Sequence, residues 1–182
     1  ELDLQLMMPA LLATRTGAEV ISLDYRVAPE HPCPAAIEDA VAAYEQLASG
    51  GTVAAIAGES AGATLTLLTA VALRDLGAAP PRALLAISPW ADMAGTSPRH
   101  RNPEFVDPVV SREFLAVAAE AWRGDLPLDD PKVTPLHARL DGLPPTLLHV
   151  GGAELLLDDA LALAERLANA GAHVELRSFP GM

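Results

Sequence analysis

Basic residues are scarce in this chain. Twelve Lys and Arg stand against 24 Asp and Glu, Lys132 is the single lysine, and the formal net charge is −12. A field of that sign repels phosphate backbones, which excludes nucleic acid as a partner. Cysteine is scarcer still: Cys33 is alone, so no internal disulfide forms, and its setting in His31-Pro32-Cys33-Pro34 has no adjacent base. It reads as a structural thiol. No Cys/His cluster has metal-ligand spacing, and neither a metal nor another cofactor is expected. No apolar run of eighteen residues is free of charges or turn signals, which excludes a membrane-spanning helix of ordinary length. Residues 1–8 have no basic stretch before their apolar residues and no cleavage pattern, so no signal peptide is expected there and a cytoplasmic location is the default.

What is present is apolar bulk: 51% of the 182 residues are hydrophobic, enough for one core and too few residues for two ordinary domains. Strand and helix signals alternate. Ala18–Leu23 is a β-branched run, and Pro34–Leu47 has helical spacing at Ile37, Ala40, Val41, Tyr44 and Leu47. Thr52–Ala57 reads as a buried strand, Ala61–Leu76 as an apolar helix closed by Gly77, and Ala83–Ile87 as the next strand. Residues 91–143 are irregular and rich in Pro, Asp and Arg, with one amphipathic helix over Ser111–Trp122. Thr146–Val150 then predicts a strand. Leu156–Ala170 predicts a helix with Leu157, Ala160, Leu161, Ala164 and Leu167 on its inner face, and His173–Ser178 a final strand. Such alternation predicts an α/β fold with a mainly parallel sheet covered by helices on both faces.

Gly58-Glu59-Ser60-Ala61-Gly62 fits G-x-S-x-G. Chance alone gives such a match in roughly one chain of this length in twenty, from ordinary glycine and serine usage. Its context is what carries weight. The motif closes a buried strand and opens a long apolar helix, the placement a nucleophile elbow requires. A turn that tight demands glycine at both flanks, because a Cβ would strike the neighbouring strand or helix. Ser60 is therefore the expected nucleophile, and the N–H of Ala61, at a helix N-terminus, the expected oxyanion donor.

Further stretches carry a resemblance. Asp24-Tyr25-Arg26-Val27-Ala28-Pro29-Glu30-His31-Pro32-Cys33-Pro34-Ala35-Ala36, the Ser60 elbow, Ser88-Pro89-Trp90-Ala91-Asp92 and Pro144-Pro145-Thr146-Leu147-Leu148 together resemble, in order and spacing, the hormone-sensitive-lipase-like (family IV esterase) branch of the α/β-hydrolases. The likeness covers essentially the whole chain. It implies an eight-stranded hydrolase sheet and hydrolysis of short or medium carboxylic esters through an acyl-enzyme on Ser60. It also implies that 91–143 is part of a cap over the acyl pocket. An amidase or formamidase with the same triad is the enzymatic alternative, and a small-molecule-binding member without catalysis the other. The partner implied is a small ester substrate. A homodimer of the parent protein is compatible with the resemblance.

This chain departs from the family pattern in several places. Glu59 stands where the family more often has Asp. The family's His-Gly-Gly loop, its first three strands and a histidine following a Pro-Gly-Met-like turn have no counterpart within residues 1–182, which end Phe179-Pro180-Gly181-Met182. The third of those strands belongs between Ala18–Leu23 and Thr52–Ala57, and its absence leaves two unpaired strand edges. Residues 1–182 are thus expected to be one hydrolase domain incomplete at both ends, and inactive alone.

Glu154 is the candidate triad acid, because it lies just past the strand Thr146–Val150 and its offset to Asp158 resembles the family's acid followed by a second Asp. Asp92, beyond the strand at Ala83–Ile87, is the weaker candidate. Asp158 and Asp159 open the next helix, where acids favour the dipole. None of His31, His100, His137, His149 and His173 is placed as the general base.

Overall fold

The computed structural model describes residues 7–182; the reading of residues 1–8 as free of a signal peptide falls largely on residues outside these. Its elements, in order, are α1 (Met7–Thr16), α2 (Ala35–Gly50), β1 (Ala55–Glu59), α3 (Ala61–Asp75), β2 (Ala83–Ile87) and a short α4 (Pro98–Arg101). There follow α5 (Arg112–Arg123), a 3-10 turn (Pro135–His137), β3 (Thr146–Gly151), α6 (Leu157–Asn169) and β4 (Val174–Phe179). The four strands form one sheet in the order β1-β2-β3-β4, every pair parallel.

The register explains which residues meet the core. Paired residues share a face, because side chains alternate along each strand. Ile56, Leu84, Thr146 and Val174 are thus in line, as are Gly58, Ala86, Leu148 and Leu176. This face packs on α3 and α6 through Ala63, Leu67, Leu163 and Leu167, all with no exposed surface. Burying a leucine completely contributes about 1.5–3 kcal/mol. On the opposite face Leu85, Ile87, Leu147 and His149 are half-buried, while Ala55 and Ala57 of β1 are exposed. Helix α3 is buried nearly all round, since α2 packs on its outer side. In α6 the inner stripe is Ala160, Leu163 and Leu167, and Leu161 is 47% exposed, so the helix is rotated from the expected face.

One expected strand does not form. Ala18–Leu23 has no ladder hydrogen bonds, and Ile21 and Leu23 are 55% and 38% exposed. A strand exists through its neighbour's N–H and C=O groups, and no described segment lies alongside to supply them. The following turn is nonetheless fixed. Arg26 reaches both Asp39 carboxylate oxygens from Nε at 3.0 Å and the Ala35 carbonyl from Nη2 at 3.1 Å, tying the turn to the start of α2. Cys33 is buried there and donates to the Lys132 carbonyl at 3.3 Å; burial pushes its thiol up to about 11. A thiol so shifted is inert.

The 91–143 stretch is not a detached lid. Val133, Thr134, Ala138 and Leu140 are buried in the main core, as are Leu115 and Ala119 of α5. By contrast, Val106, Val109, Phe114 and Val117 are strongly exposed.

Candidate active site

Every strand of a parallel sheet ends at the same edge, and here each C-terminal end bears a residue of chemical interest. β1 leads to Ser60, β2 to Ser88, β3 to Glu154, and β4 to Pro180–Met182. The strand ends are stitched together by backbone bonds: Ser60 N–H to Ile87 O at 2.9 Å, Ser88 N–H to His149 O at 2.7 Å, and Gly152 N–H to Phe179 O at 2.8 Å.

Ser60 has φ 54 and ψ −116, a conformation L-residues rarely adopt. A non-glycine residue retained there is the mark of a strained functional turn. The turn brings α3 back so closely that a Cβ on Gly58 would lie 2.1 Å from the Gly62 carbonyl oxygen. Gly58 is therefore obligatory. Gly62 is not confined in the same way: a Cβ there meets nothing within 4 Å, contrary to the expectation that both flanks are sterically fixed. β1 is an edge strand among the described residues, so no neighbour approaches Gly62 from that side. The Ser60 carbonyl accepts the N–H groups of Ala63 and Thr64 at 3.0 and 3.1 Å, which starts the helix. Ala61 is exposed and, among the described residues, its N–H donates to no acceptor, leaving it available to an oxyanion. Thr64 anchors the first turn by donating to the Trp90 carbonyl at 2.5 Å.

Glu154 follows β3, two strands from β1 in the sheet order, where neighbouring strands lie about 4.8 Å apart. One imidazole with a hydrogen bond at each end spans such a gap. Its Oε1 accepts the Gly151 N–H at 2.6 Å and the Ser88 hydroxyl at 2.9 Å. Oε2 accepts no hydrogen bond among the described residues. The end of the chain folds over this loop: Ala153 N–H donates to the Met182 carbonyl at 2.6 Å. Gly151 is needed because a Cβ would come within 2.5 Å of that carbonyl and 2.6 Å of Glu154 Oε1.

Asp92, the weaker candidate, is committed elsewhere. Its carboxylate accepts the N–H groups of Ala94 and Thr96 and the Thr96 hydroxyl, at 3.1, 2.6 and 2.7 Å, and it is buried. Both of its oxygens are thus engaged in organising its own loop. Asp158 and Asp159, read as structural acids, tie α6 to the 91–101 segment: Asp158 accepts the Arg99 N–H at 2.9 Å, and Asp159 those of Ala91 and Asp92 at 3.0 and 2.9 Å. Burial pushes the Asp159 carboxyl up to about 7.

No described histidine hydrogen-bonds Ser60. His31, His137 and His173 are exposed at a distance in the fold, and His149 is held edge-on against Phe179 with ring centroids 5.3 Å apart. His100 is enclosed beside Asp159 and hydrogen-bonds Ser97 Oγ at 2.8 Å. Burial lowers the pKa of both His100 and His149, which favours their neutral forms. His100 lines a cavity of about 170 Å³ with Asp92, Trp90 and Arg112, and neither Ser60 nor Glu154 is among its lining residues.

Sequence reasoning missed three residues that converge on the Glu154 loop. Ser88 holds the carboxylate, Arg99 donates from Nη1 to the Gly152 and Glu154 carbonyls at 3.0 and 2.8 Å, and Asp107 accepts the Leu155 N–H at 2.7 Å. The one signal available was the place of Ser88 directly after a strand. Among the described residues no group of three or more His, Cys, Asp or Glu could hold a metal, and no helix is long and apolar enough to cross a membrane.

A family model described as the α/β-hydrolase fold matches residues 5–182. An acetyl-hydrolase of Streptomyces hygroscopicus is 39% identical over 178 residues, which is 96% of this chain and 60% of that protein. An esterase of Acinetobacter venetianus is 37% identical over 175 residues, covering 94% and 58%. The crystal structure of an esterase from the bacterial hormone-sensitive lipase family superposes with a TM-score of 0.84 at 43% identity, covering 88% of this chain and 55% of that one. A hormone-sensitive-lipase homologue from a metagenome library superposes with a TM-score of 0.90 at 38% identity, covering 94% and 60%. The chain thus spans about 60% of the length of these curated relatives.

Proposed function

The chain belongs to the α/β-hydrolase fold family, in its hormone-sensitive-lipase-like branch, and we propose that it carries the nucleophile and acid of a carboxylesterase acting on short or medium acyl esters. The observation that carries this reading is the elbow. Ser60 is held at positive φ between a strand and a helix N-terminus, on the same sheet edge as Glu154.

In the proposed reaction the Ser60 hydroxyl oxygen attacks the ester carbonyl while a histidine takes its proton. The tetrahedral oxyanion is met by the Ala61 N–H, helped by the positive end of α3. Collapse breaks the bond to the alkoxy group, which leaves as an alcohol with the histidine's proton. Water then attacks the acyl-enzyme by the same route, releasing the carboxylic acid and free Ser60. Glu154 accepts the N–H of that histidine and stabilises its cation. We assign the base to a histidine beyond Met182, since the chain leaves β4 directly over the Glu154 loop. The exposed Val106, Val109, Phe114 and Val117 are proposed as the cap surface facing the acyl chain.

The reading is tested with the complete protein and a p-nitrophenyl ester. Ser60→Ala is expected to lower kcat by about 10⁶-fold, and a Ser60→Ala variant retaining wild-type turnover would refute it.

A further inference from the structure

We propose that Ser88 is a positioning residue for the triad acid: it fixes which oxygen of the Glu154 carboxylate faces the base. The proposal rests on the assignment of Glu154 as that acid.

Two independent features single out Ser88. The first is its bond. The Ser88 hydroxyl donates to Glu154 Oε1 at 2.9 Å, the same oxygen that accepts the Gly151 N–H. A carboxylate has about four lone-pair sites, two on each oxygen. With both donors on Oε1, Oε2 is left as the acceptor for an imidazole N–H. Glutamate has one more rotatable bond than aspartate and more rotamer freedom to lose, so one backbone donor alone fixes its tip poorly.

The second feature is conformation. Ser88 has φ 46, and Ser60 is the only other described non-glycine residue at positive φ. Glycine would satisfy this backbone without strain, yet a serine occupies it. Packing does not explain the choice, because Ser88 is only half-buried. The hydroxyl on the carboxylate does. Its backbone is locked in turn by the 2.7 Å bond to the His149 carbonyl, so the hydroxyl is held between the ends of β2 and β3.

The test is a double-mutant cycle in the complete protein, with kcat and KM for a p-nitrophenyl ester and the thermal midpoint measured together. Ser88→Ala and Ser88→Gly remove the hydroxyl, and Ser88→Gly also relieves the backbone, so it keeps or raises the midpoint. Both are expected to lower kcat by about ten- to a hundredfold, the usual effect of losing a hydrogen bond to a charged group, with KM changed less than about twofold. In a Glu154→Gln background Ser88→Gly is expected to change kcat by less than about twofold, since the oriented carboxylate is already gone. Full kcat in Ser88→Gly, or a loss that multiplies with that of Glu154→Gln, overturns the role of Ser88 while leaving the acid in place. Wild-type kcat in Glu154→Gln alone instead removes the acid assignment, and the role of Ser88 falls with it.

Discussion

Asp107 accepts the N–H of Leu155 across 48 residues of chain, and so fastens the loop that carries Glu154 to the 91–143 stretch. Its other oxygen takes the N–H groups of Val109 and Val110 at 2.7 and 2.9 Å. Burial raises this carboxyl, but the three backbone donors outweigh it and leave the pKa below the usual carboxylate range. A depressed folded pKa means stability that is present above the unfolded value near 3.9 and lost as pH falls through the folded one. Asp107→Ala in the complete protein is expected to cost about 2 kcal/mol at pH 7. The difference from wild type should shrink below about pH 4. Urea titrations at the two pH values check both.

Asp159 has the opposite sign. Its folded pKa, about 7, lies above that of the unfolded chain because burial disfavours the charge. Between about pH 4 and 7 the folded state binds more protons than the unfolded one, so this residue makes stability fall as pH rises through that window. Asp159→Asn retains an acceptor for the Ala91 and Asp92 N–H groups and does not titrate. Its urea midpoint is therefore expected to fall less than that of wild type between pH 4 and 7, and a wild-type slope in the variant would contradict the assignment.

Gly58→Ala is expected to destabilise the complete protein by about 3 kcal/mol or more and to abolish activity, because the new Cβ meets backbone that cannot give way. Circular dichroism melting and ester turnover are the readouts. Wild-type stability in this variant would mean that the elbow is looser than described here.

Glu154→Gln is expected to keep the fold and lower kcat by about 10⁴-fold, as loss of an orienting carboxylate does in other triads. Asp92→Asn should act on stability instead, because its carboxylate serves its own loop. The reverse pattern, a large catalytic loss from Asp92→Asn and none from Glu154→Gln, would place the acid on β2.

The elements legible in the sequence are those whose cause is local. The strand, the Gly58–Gly62 turn and the apolar helix after it lie within one stretch of chain, and the loop with Glu154 follows its strand directly. Ser88, Arg99 and Asp107 act on that loop from 66, 55 and 48 residues away, a separation that no periodicity or motif encodes. Ala18–Leu23 forms no ladder among the described residues for a related reason: its β-branched composition is local, but a strand is a property of two segments, and the one expected beside it has no counterpart in residues 1–182. Leu161 and Leu163 both fit helical spacing near the apolar stripe, and only the packing of α6 on β3 and β4 chooses Leu163.

The claim on which the account depends is that Ser60 is the nucleophile, and covalent capture tests it most directly. The complete protein is treated with an organophosphonate bearing a p-nitrophenoxide leaving group, and the labelled peptide is located by mass spectrometry. One adduct per chain is expected on Ser60, with release of one equivalent of p-nitrophenol, and none in Ser60→Ala. Stoichiometric labelling that persists undiminished in Ser60→Ala would contradict the account.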